Sequence, residues 1–230
     1  KASESVEIIG SDIPIFPTGF FNAVEVDATG NAGNITIEAP QLSLLQGSSI
    51  FSETFGSGNT GSITLNVDNL AIRDGSQIVT KAFAGGNAGD FTITATKSVD
   101  IAGSNIFPSR SGLFSITEPG SKGNAGNLNI TTPQLSLVQR SGVAVSTRGK
   151  GNVGNMTLKV DSLAIRDGSQ IGTGTFAGGN GGDLNIIAAD SIEIAGFDDN
   201  NFSSGLFSSA EPGSTGDAGN LNFSSKQIYI

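Results

Sequence analysis

The chain of 230 residues has no cysteine, no histidine and no tryptophan. The absence of cysteine excludes thiol catalysis, disulfide bonds and thiolate metal sites. The absence of histidine excludes histidine-based catalytic triads and imidazole metal sites. No apolar run approaches the roughly 18 residues of a membrane-spanning helix. An initial methionine and a signal peptide are also missing, so we expect an excised or processed piece of a protein.

Charged residues are few, and most of them are acidic. Only 14% of the residues are charged, and the net charge is −9. The 12 basic residues are scattered singly, and only Arg148 and Lys150 come close together. A nucleic-acid-binding protein needs a clustered basic face, so we expect no nucleic-acid partner. Because no apolar run is long enough to span a membrane, we also expect no insertion into a membrane.

Glycine is abundant, with 33 residues, and serine, asparagine and threonine are the other common polar types. These residues are weak helix formers, and no apolar stripe repeats at helical spacing. Hydrophobic residues still make up 37% of the chain, which is enough for a core. The composition therefore predicts an all-β fold with many turns.

An internal repeat extends over the whole chain. A glycine followed by Asn, Ser or Asp opens each unit, and units of 28, 28 and 37 residues form a super-repeat of 93 residues. DNLAIRDGSQI at 68–78 recurs as DSLAIRDGSQI at 161–171. Repeats of roughly 20–50 residues are typical of solenoids. We interpret residues 1–230 as one β-helix segment, with a partial coil at 1–32, coils that start at 33, 61, 89, 126, 154 and 182, and a partial coil at 219–230.

Each coil is predicted to contain three short strands joined by Gly, Asn and Pro turns. In the coil that starts at 33, Ile35 and Ile37 alternate with polar residues, and Leu42 lies in a second strand. Equivalent apolar residues in the other coils are expected to stack as ladders, of which the fourth contains Ile50, Ile78, Ile106, Val143 and Ile171. Because parallel connections are normally right-handed, the pattern predicts a right-handed parallel β-helix.

Every third coil is longer, and its extra residues are predicted to follow the second strand and to protrude from one face. The three copies share a Gly-apolar-Phe core at 19–21, 112–114 and 205–207. Insertions in repeat proteins often form the binding face. The candidate interaction residues in these loops are Phe20, Phe21, Arg110, Leu113, Phe114, Glu118, Phe202, Leu206, Phe207 and Glu211.

Several longer phrases recur, namely GNAGNITIEAPQLSL, GNAGNLNITTPQLSL, LAIRDGSQI, and SGLF followed by EPG. Together they resemble the repeat region of large secreted exoproteins of the filamentous-haemagglutinin type, in particular the cyanobacterial members, over essentially the whole chain. The resemblance implies two-partner secretion and a long β-helical fibre that serves adhesion, aggregation and surface coating. We therefore expect an extracellular or cell-surface shaft without enzymatic activity or cofactor. Its expected partners are further copies of itself, surface polysaccharide or other cells.

Three motifs suggest ligands but have structural interpretations that we favour. GSGNTG at 56–61 and GKGNVG at 149–154 match a dinucleotide-binding pattern, but strand residues follow where that site needs a helix. GGNGGD at 178–183 resembles the start of a calcium repeat that needs tandem copies, so a glycine turn is favoured. The polar ladder that begins at Thr36 is interpreted as a solvated strand face rather than an ice-binding or crystalline-sugar-binding array.

Two further functions stay open. Asp198 and Asp199 are the only adjacent carboxylates, and a polysaccharide-active enzyme would place such groups in a groove, although a solvated acidic loop is the favoured interpretation. A self-assembling fibre subunit is the other alternative, because the apolar pattern continues to Ile230 without a recognisable cap. An open end of this kind is expected to recruit another copy or to continue into further coils.

Overall fold

The structure is a computed structural model that describes residues 1–11, 18–104 and 110–230. Within these ranges the chain forms strands and turns, and no helix is present that could cross a membrane. In chain order the strands are β1 (Ser5–Ile9), β2 (Gly19–Val24), β3 (Ile35–Leu45), β4 (Ser49–Thr54), β5 (Ile63–Arg73), β6 (Gln77–Ala82), β7 (Phe91–Ala102), β8 (Gly112–Thr117), β9 (Leu128–Val138), β10 (Gly142–Thr147), β11 (Met156–Arg166), β12 (Gln170–Thr175), β13 (Leu184–Ala195), β14 (Gly205–Ala210), β15 (Leu221–Ser224) and β16 (Gln227–Tyr229).

The strands form two sheets in which paired neighbours are parallel. The long-strand sheet has the order β1-β3-β5-β7-β9-β11-β13-β15, and β16 also pairs with β13. The short-strand sheet has the order β14-β12-β10-β8-β6-β4-β2. From β1 to β15 the chain passes alternately through the two sheets. The predicted all-β architecture, with parallel strands stacked in chain order, is therefore confirmed.

Inward-facing apolar side chains from both sheets form one core. In the long-strand sheet Ile35 pairs with Ile63, and Ile63 pairs with Phe91. Ile37 pairs with Leu65, as the ladder pattern predicted. Full burial of one such side chain contributes about 1.5–3 kcal/mol. A single repeat leaves these side chains in contact with water, so stacking of repeats is what buries them.

The strand bounds differ from the three short strands that were predicted for each coil. The first two predicted strands join into one strand of 11 residues in β3 and β5. Within β3, Ala39 and Leu42 are buried, whereas the two residues between them, Pro40 and Gln41, are exposed. Buried and exposed residues normally alternate along a strand, so two consecutive exposed residues indicate a corner inside this continuous strand. A proline at this exposed corner leaves the strand pairing on either side intact.

The extra residues of the longer repeats are distributed differently from the prediction. Val67 pairs with Ala95, but Asn69 pairs with Ser98, so β7 accommodates part of the added length as a bulge within the sheet. The predicted ladder position of Ile106 lies outside the described residues. The residue that pairs with Ile78 at this level is Leu113, because the short strand begins only at Gly112.

Asparagine side chains connect the turns that precede the long strands. Asn124 Oδ1 accepts a hydrogen bond of 2.7 Å from the backbone N–H of Asn152. Asn152 Oδ1 in turn accepts one of 2.9 Å from the N–H of Asn180, 28 residues further along the chain. A second ladder includes Asn127, whose Oδ1 accepts from the N–H of Asn155 at 2.9 Å. Each turn is thus bound to the next turn by side chains as well as by the backbone.

Serine hydroxyls occupy a buried position where the chain enters the short strands. The side chains of this position have no exposed surface in Ser48, Ser76, Ser111, Ser141 and Ser169. Ser141 Oγ lies 3.1 Å from the Ile101 carbonyl, to which it donates, and 3.2 Å from Ser169 Oγ. Ser48 Oγ donates to the Ile8 carbonyl at 2.9 Å. These hydrogen bonds offset the desolvation of the hydroxyls, which is otherwise costly in an apolar core.

Candidate interaction face

The outer face of the short-strand sheet consists of the side chains that alternate with its buried positions. In β4, for example, Ile50 and Ser52 are buried, and Phe51 and Glu53 point outward. Strand pairing aligns the third residue of each strand into a row that we call the central ladder, in which Val79 is covered and only 2% exposed. Its members are Phe21, Phe51, Val79, Phe114, Ala144, Gly172 and Phe207.

A second outward row lies directly after the short strands, and we call it the flanking ladder. Backbone hydrogen bonds hold its members in register with the preceding repeat, at Phe55, Phe83, Glu118, Arg148, Phe176 and Glu211. The rings of Phe55 and Phe83 stack with their centroids 4.5 Å apart. The Arg148 guanidinium lies 5.4 Å from the centre of the Phe176 ring. Aromatic and charged side chains therefore share this edge of the face, an arrangement that supports cation–π contacts.

The recurrent Gly-apolar-Phe motif has a steric explanation. A Cβ atom at Gly112 would lie 2.6 Å from Cζ of Phe114, and one at Gly205 would lie 2.7 Å from Cζ of Phe207. Each phenyl ring therefore folds back over the glycine of its own strand. At Gly19 and Gly112 glycine is required because an added Cβ atom would lie 1.5 Å from the Ser49 carbonyl oxygen and 2.0 Å from the Gly142 carbonyl oxygen, whereas at Gly205 only the Phe207 ring is close. The ring in turn covers backbone that a glycine leaves exposed.

A groove of about 520 Å³ lies in the outer face where the central ladder changes from Phe114 to small residues and back to Phe207. Its volume is within the range of about 300–1,000 Å³ that is typical of ligand sites. The phenyl rings of Phe114 and Phe207 belong to its two walls, and Arg110 and Arg148 lie at its ends. The floor is formed by β10 and β12, with the small residues Gly142, Ala144, Gly172 and Gly174.

Arg110 is held at one end of the groove by uncharged partners. Its Nε donates to the Arg140 carbonyl at 2.8 Å, and its Nη2 donates to the Ser141 carbonyl at 2.9 Å. Among the described residues no ion pair involves Arg110. Burial and the charge of Arg140 lower the pKa of Arg110, and the carboxylate of Asp198 raises it. The positive charge at this end is therefore only partly compensated.

Arg148 at the other end of the groove is 44% exposed, and its Nη1 is 3.8 Å from Glu118 Oε2. Glu118 also lies 3.3 Å from the Lys81 ammonium, so two cations share one carboxylate. Exposed ion pairs of this length contribute little to stability. The remaining acidic group, Glu211, accepts a hydrogen bond of 2.8 Å from Ser209. The groove thus has two guanidinium groups and one carboxylate in a chain that is negatively charged overall.

Glu53 lies on the same face beside this ion-pair network. Burial raises the pKa of Glu53, the Lys81 ammonium lowers it, and the Glu118 carboxylate raises it again. The resultant pKa is above the ordinary value for glutamate. The cause is desolvation, which disfavours the charged form of a carboxyl group.

Three of the predicted interaction residues face inward rather than protruding. Leu113 is fully buried and pairs with Ile78 in the core ladder, and Leu206 pairs with Ile171. Phe20 occupies the equivalent position in β2 and is partly exposed. The prediction of protruding loops is wrong for these residues, because the Gly-apolar-Phe motif begins a regular short strand.

The other predicted residues lie on or near the outer face, apart from Phe202. Phe21, Phe114 and Phe207 belong to the central ladder and therefore to strands, so the loop prediction is wrong for them as well. Glu118 and Glu211 belong to the flanking ladder, and Arg110 precedes β8. Whether these residues contact a partner stays a prediction.

The sequence interpretation missed the small residues that create the groove and the aromatic side chains beyond the insertions. Ala144, Gly172, Arg148 and Phe176 are in ordinary repeats, where no insertion drew attention to them. A comparison of outward positions across all short strands would have identified Ala144 and Gly172 as the interruption of an aromatic row. That comparison needs the strand register across the longer repeats, which the pairing supplies.

Asp198, between β13 and β14, is not a solvated loop residue as predicted. Its side chain is 7% exposed, and Oδ2 lies 2.7 Å from Arg140 Nε. Oδ1 accepts hydrogen bonds of 2.9 and 2.8 Å from the backbone N–H groups of Asn200 and Phe202. Burial raises the pKa of Asp198, but the backbone hydrogen bonds and Arg140 lower it to below its ordinary value. Asp198 thus anchors the loop, whereas the neighbouring Asp199 is exposed.

No protein-family model, curated protein or solved structure matches the chain. In the part of the chain that the structure describes, no group of three or more acidic side chains is arranged to hold a metal ion. The features of the molecule that indicate a function are therefore its architecture and the outer face of the short-strand sheet.

Proposed function

We propose that the chain is a segment of a structural and adhesive shaft in a secreted or cell-surface fibre protein. In this proposal the two sheets wind as a right-handed parallel β-helix with coils of 28, 28 and 37 residues in a super-repeat of 93. Each coil has three sides, formed by the two halves of a long strand and by a short strand. The strong preference of parallel connections for right-handed crossovers supports this winding.

The observation that carries the adhesive role is the outer face of the short-strand sheet. Phe21, Phe176 and Phe207 are each more than two-fifths exposed on that face. Phe176 and Phe207 line the same groove at one end of the sheet, and exposed apolar side chains that form a patch mark interaction surfaces. Phe21 lies on the edge strand at the other end. Because the same rows continue over seven stacked strands, weak contacts along them would add by avidity.

Localisation and partners follow from the sequence resemblance to filamentous-haemagglutinin-type exoproteins. We infer a cell-surface or extracellular location and export by two-partner secretion. The inferred partners are surface polysaccharide, other cells or further copies of the chain. The proposal includes no cofactor and no enzymatic activity. In support of this, the carboxylate of Asp198 is engaged by Arg140 and two backbone N–H groups, which makes it a poor general acid or base.

The experiment is an adhesion assay with beads that carry the purified chain. Beads with the wild-type chain are expected to be retained on polysaccharide-coated cells. A variant with Phe21→Ser and Phe176→Ser, which removes two exposed rings from the outer face, is expected to lose most of this retention. The matched control is Thr36→Ser with Thr64→Ser, which changes paired polar residues on the long-strand sheet.

Adhesion that is equal for the two double variants would contradict the choice of face, and wild-type beads without retention would contradict the adhesive role. Release of reducing sugar ends by the pure chain, lost in Asp198→Ala, would instead indicate the polysaccharide-active enzyme.

A further inference from the structure

We propose that the groove in the outer face of the short-strand sheet binds a short stretch of polysaccharide whose sugar rings carry carboxylate groups. This inference rests on the proposed adhesive function and names a ligand class for one part of that face. The juxtaposition that carries it is a pair of phenyl walls, a floor whose centre holds only small residues and a guanidinium group at each end.

The width of the groove is set by the interruption of the central ladder. Phe114 on β8 and Phe207 on β14 are separated by β10 and β12, which is about 14 Å at the spacing of paired strands. At the two intervening levels the ladder holds Ala144 and Gly172. A sugar ring can therefore fit between the two walls, with its apolar C–H face against a phenyl ring. Aromatic side chains favour such contacts because they combine a large apolar surface with a negative ring face.

The length of the groove suits a chain rather than a single sugar. The strands of its floor are six residues long, which corresponds to about 20 Å. An extended peptide is a poorer occupant, because the backbone groups of β10 and β12 are already paired on both sides within the sheet. A peptide lying on this floor would leave its own N–H and C=O groups without backbone partners. Sugar hydroxyls, in contrast, can reach Gln170, Ser146 and Ser209 on the lining.

The charge distribution favours an anionic ligand over a neutral one. Among the described residues Arg110 has no carboxylate within ion-pair distance, and Arg148 and Lys81 contact different oxygens of the single carboxylate Glu118. Glu211 is the one carboxylate on the groove lining, against two guanidinium groups. Carboxylates on a polysaccharide can approach a guanidinium group at either end of the groove and form charge-assisted hydrogen bonds. The net charge of −9 makes this local excess of cations distinct from the rest of the chain.

The test measures binding of oligogalacturonate, its fully methyl-esterified form and polyglutamate to the intact chain by calorimetry. Oligogalacturonate is expected to bind saturably, about tenfold tighter than the ester, which keeps the sugar rings but lacks the charge. Ala144→Phe should fill the groove and weaken binding about tenfold or more. Phenylalanine is compatible with this position, because Phe21 and Phe51 already lie side by side in the same ladder, 5.8 Å apart. Arg148→Gln should weaken oligogalacturonate binding and reduce its salt dependence.

The matched control is Phe51→Ala, which removes a ring from the central ladder outside the groove and should leave binding within about twofold. If the far-UV circular dichroism of each variant is unchanged, a loss of binding is due to the altered groove and not to unfolding. The inference is overturned if Ala144→Phe binds as the wild type does, if the ester binds equally well, if polyglutamate binds as tightly, or if oligogalacturonate does not bind. Retention of wild-type beads on cells together with any of these results would reject the groove and leave the adhesive function standing.

Discussion

Substitution of alanine for Gly179 is expected to disrupt the stacking of a turn, whereas the same change at Gly178 is not. A Cβ atom at Gly179 would lie 1.8 Å from the carbonyl oxygen of Gly151 in the preceding repeat, and Cβ atoms essentially never approach another atom within 3.0 Å. The two turns must therefore separate by more than an ångström. At Gly178 the nearest atom to an added Cβ is Thr215 Oγ1 at 3.8 Å, an ordinary contact.

The cost at Gly179 follows from the hydrogen bonds that the separation breaks. The N–H of Asn180 donates to Asn152 Oδ1 in the preceding repeat at 2.9 Å. The N–H of Val153 donates to the Asn180 carbonyl at 2.8 Å. At about 0.5–1.5 kcal/mol for each of these two bonds, the Gly179→Ala variant should lose about 1–3 kcal/mol of unfolding free energy. Gly178→Ala should be neutral or more stable by up to about 1 kcal/mol, because alanine lowers the entropy of the unfolded chain.

Urea denaturation followed by far-UV circular dichroism measures this difference, since the chain has no tryptophan for fluorescence. The earlier pair Gly85 and Gly86 provides an internal replicate, because a Cβ at Gly86 would lie 1.9 Å from the Gly58 carbonyl and one at Gly85 has its nearest neighbour at 3.7 Å. Equal midpoints for the two members of either pair would refute the argument that close approach of stacked turns requires glycine.

Three further predictions concern the core, the asparagine ladder and the response to pH. Leu113→Ala should destabilise the chain by about 2–5 kcal/mol in the same denaturation assay, because Leu113 is fully buried, and a change near zero would show that it protrudes. Asn152→Ala removes the acceptor of a hydrogen bond from the next turn and should cost about 0.5–1.5 kcal/mol, so an unchanged midpoint would reject a stabilising ladder. The raised pKa of Glu53 means that its stabilising contribution is present at acid pH and is lost as the pH rises through the folded pKa. Glu53→Gln should therefore gain stability relative to the wild type as the pH rises through the folded pKa of Glu53. Glu193→Gln should show the opposite trend, because the Arg166 hydrogen bond lowers the pKa of Glu193 and its contribution is lost only as the pH falls. Parallel pH profiles of the two variants would contradict both assignments.

The sequence alone was sufficient to predict an all-β architecture of stacked parallel strands. The repeat shows which residues are equivalent, and the two-residue alternation shows which of them face the core. Ile37 and Leu65 pair as their spacing predicts, since residues at equivalent positions of successive repeats must meet when parallel strands stack. The recurrence of Gly-apolar-Phe was also visible. Its physical basis was not, because the close approach of Gly112 to the Gly142 carbonyl oxygen exists only once the strands are paired.

Where the extra residues lie was decided only by the tertiary structure. The number of residues between two repeats does not say which of them continue a strand, since a bulge, a loop and a late strand start add the same length. Pairing of Leu113 with Ile78 places that leucine in the core, and the bulge in β7 shifts Ser98 opposite Asn69. The groove depends on the same register, because Ala144 and Gly172 form a gap only when they are aligned between Phe114 and Phe207. The repeat thus determined what stacks, and long-range strand pairing decided which side chains face the core and which face the solvent.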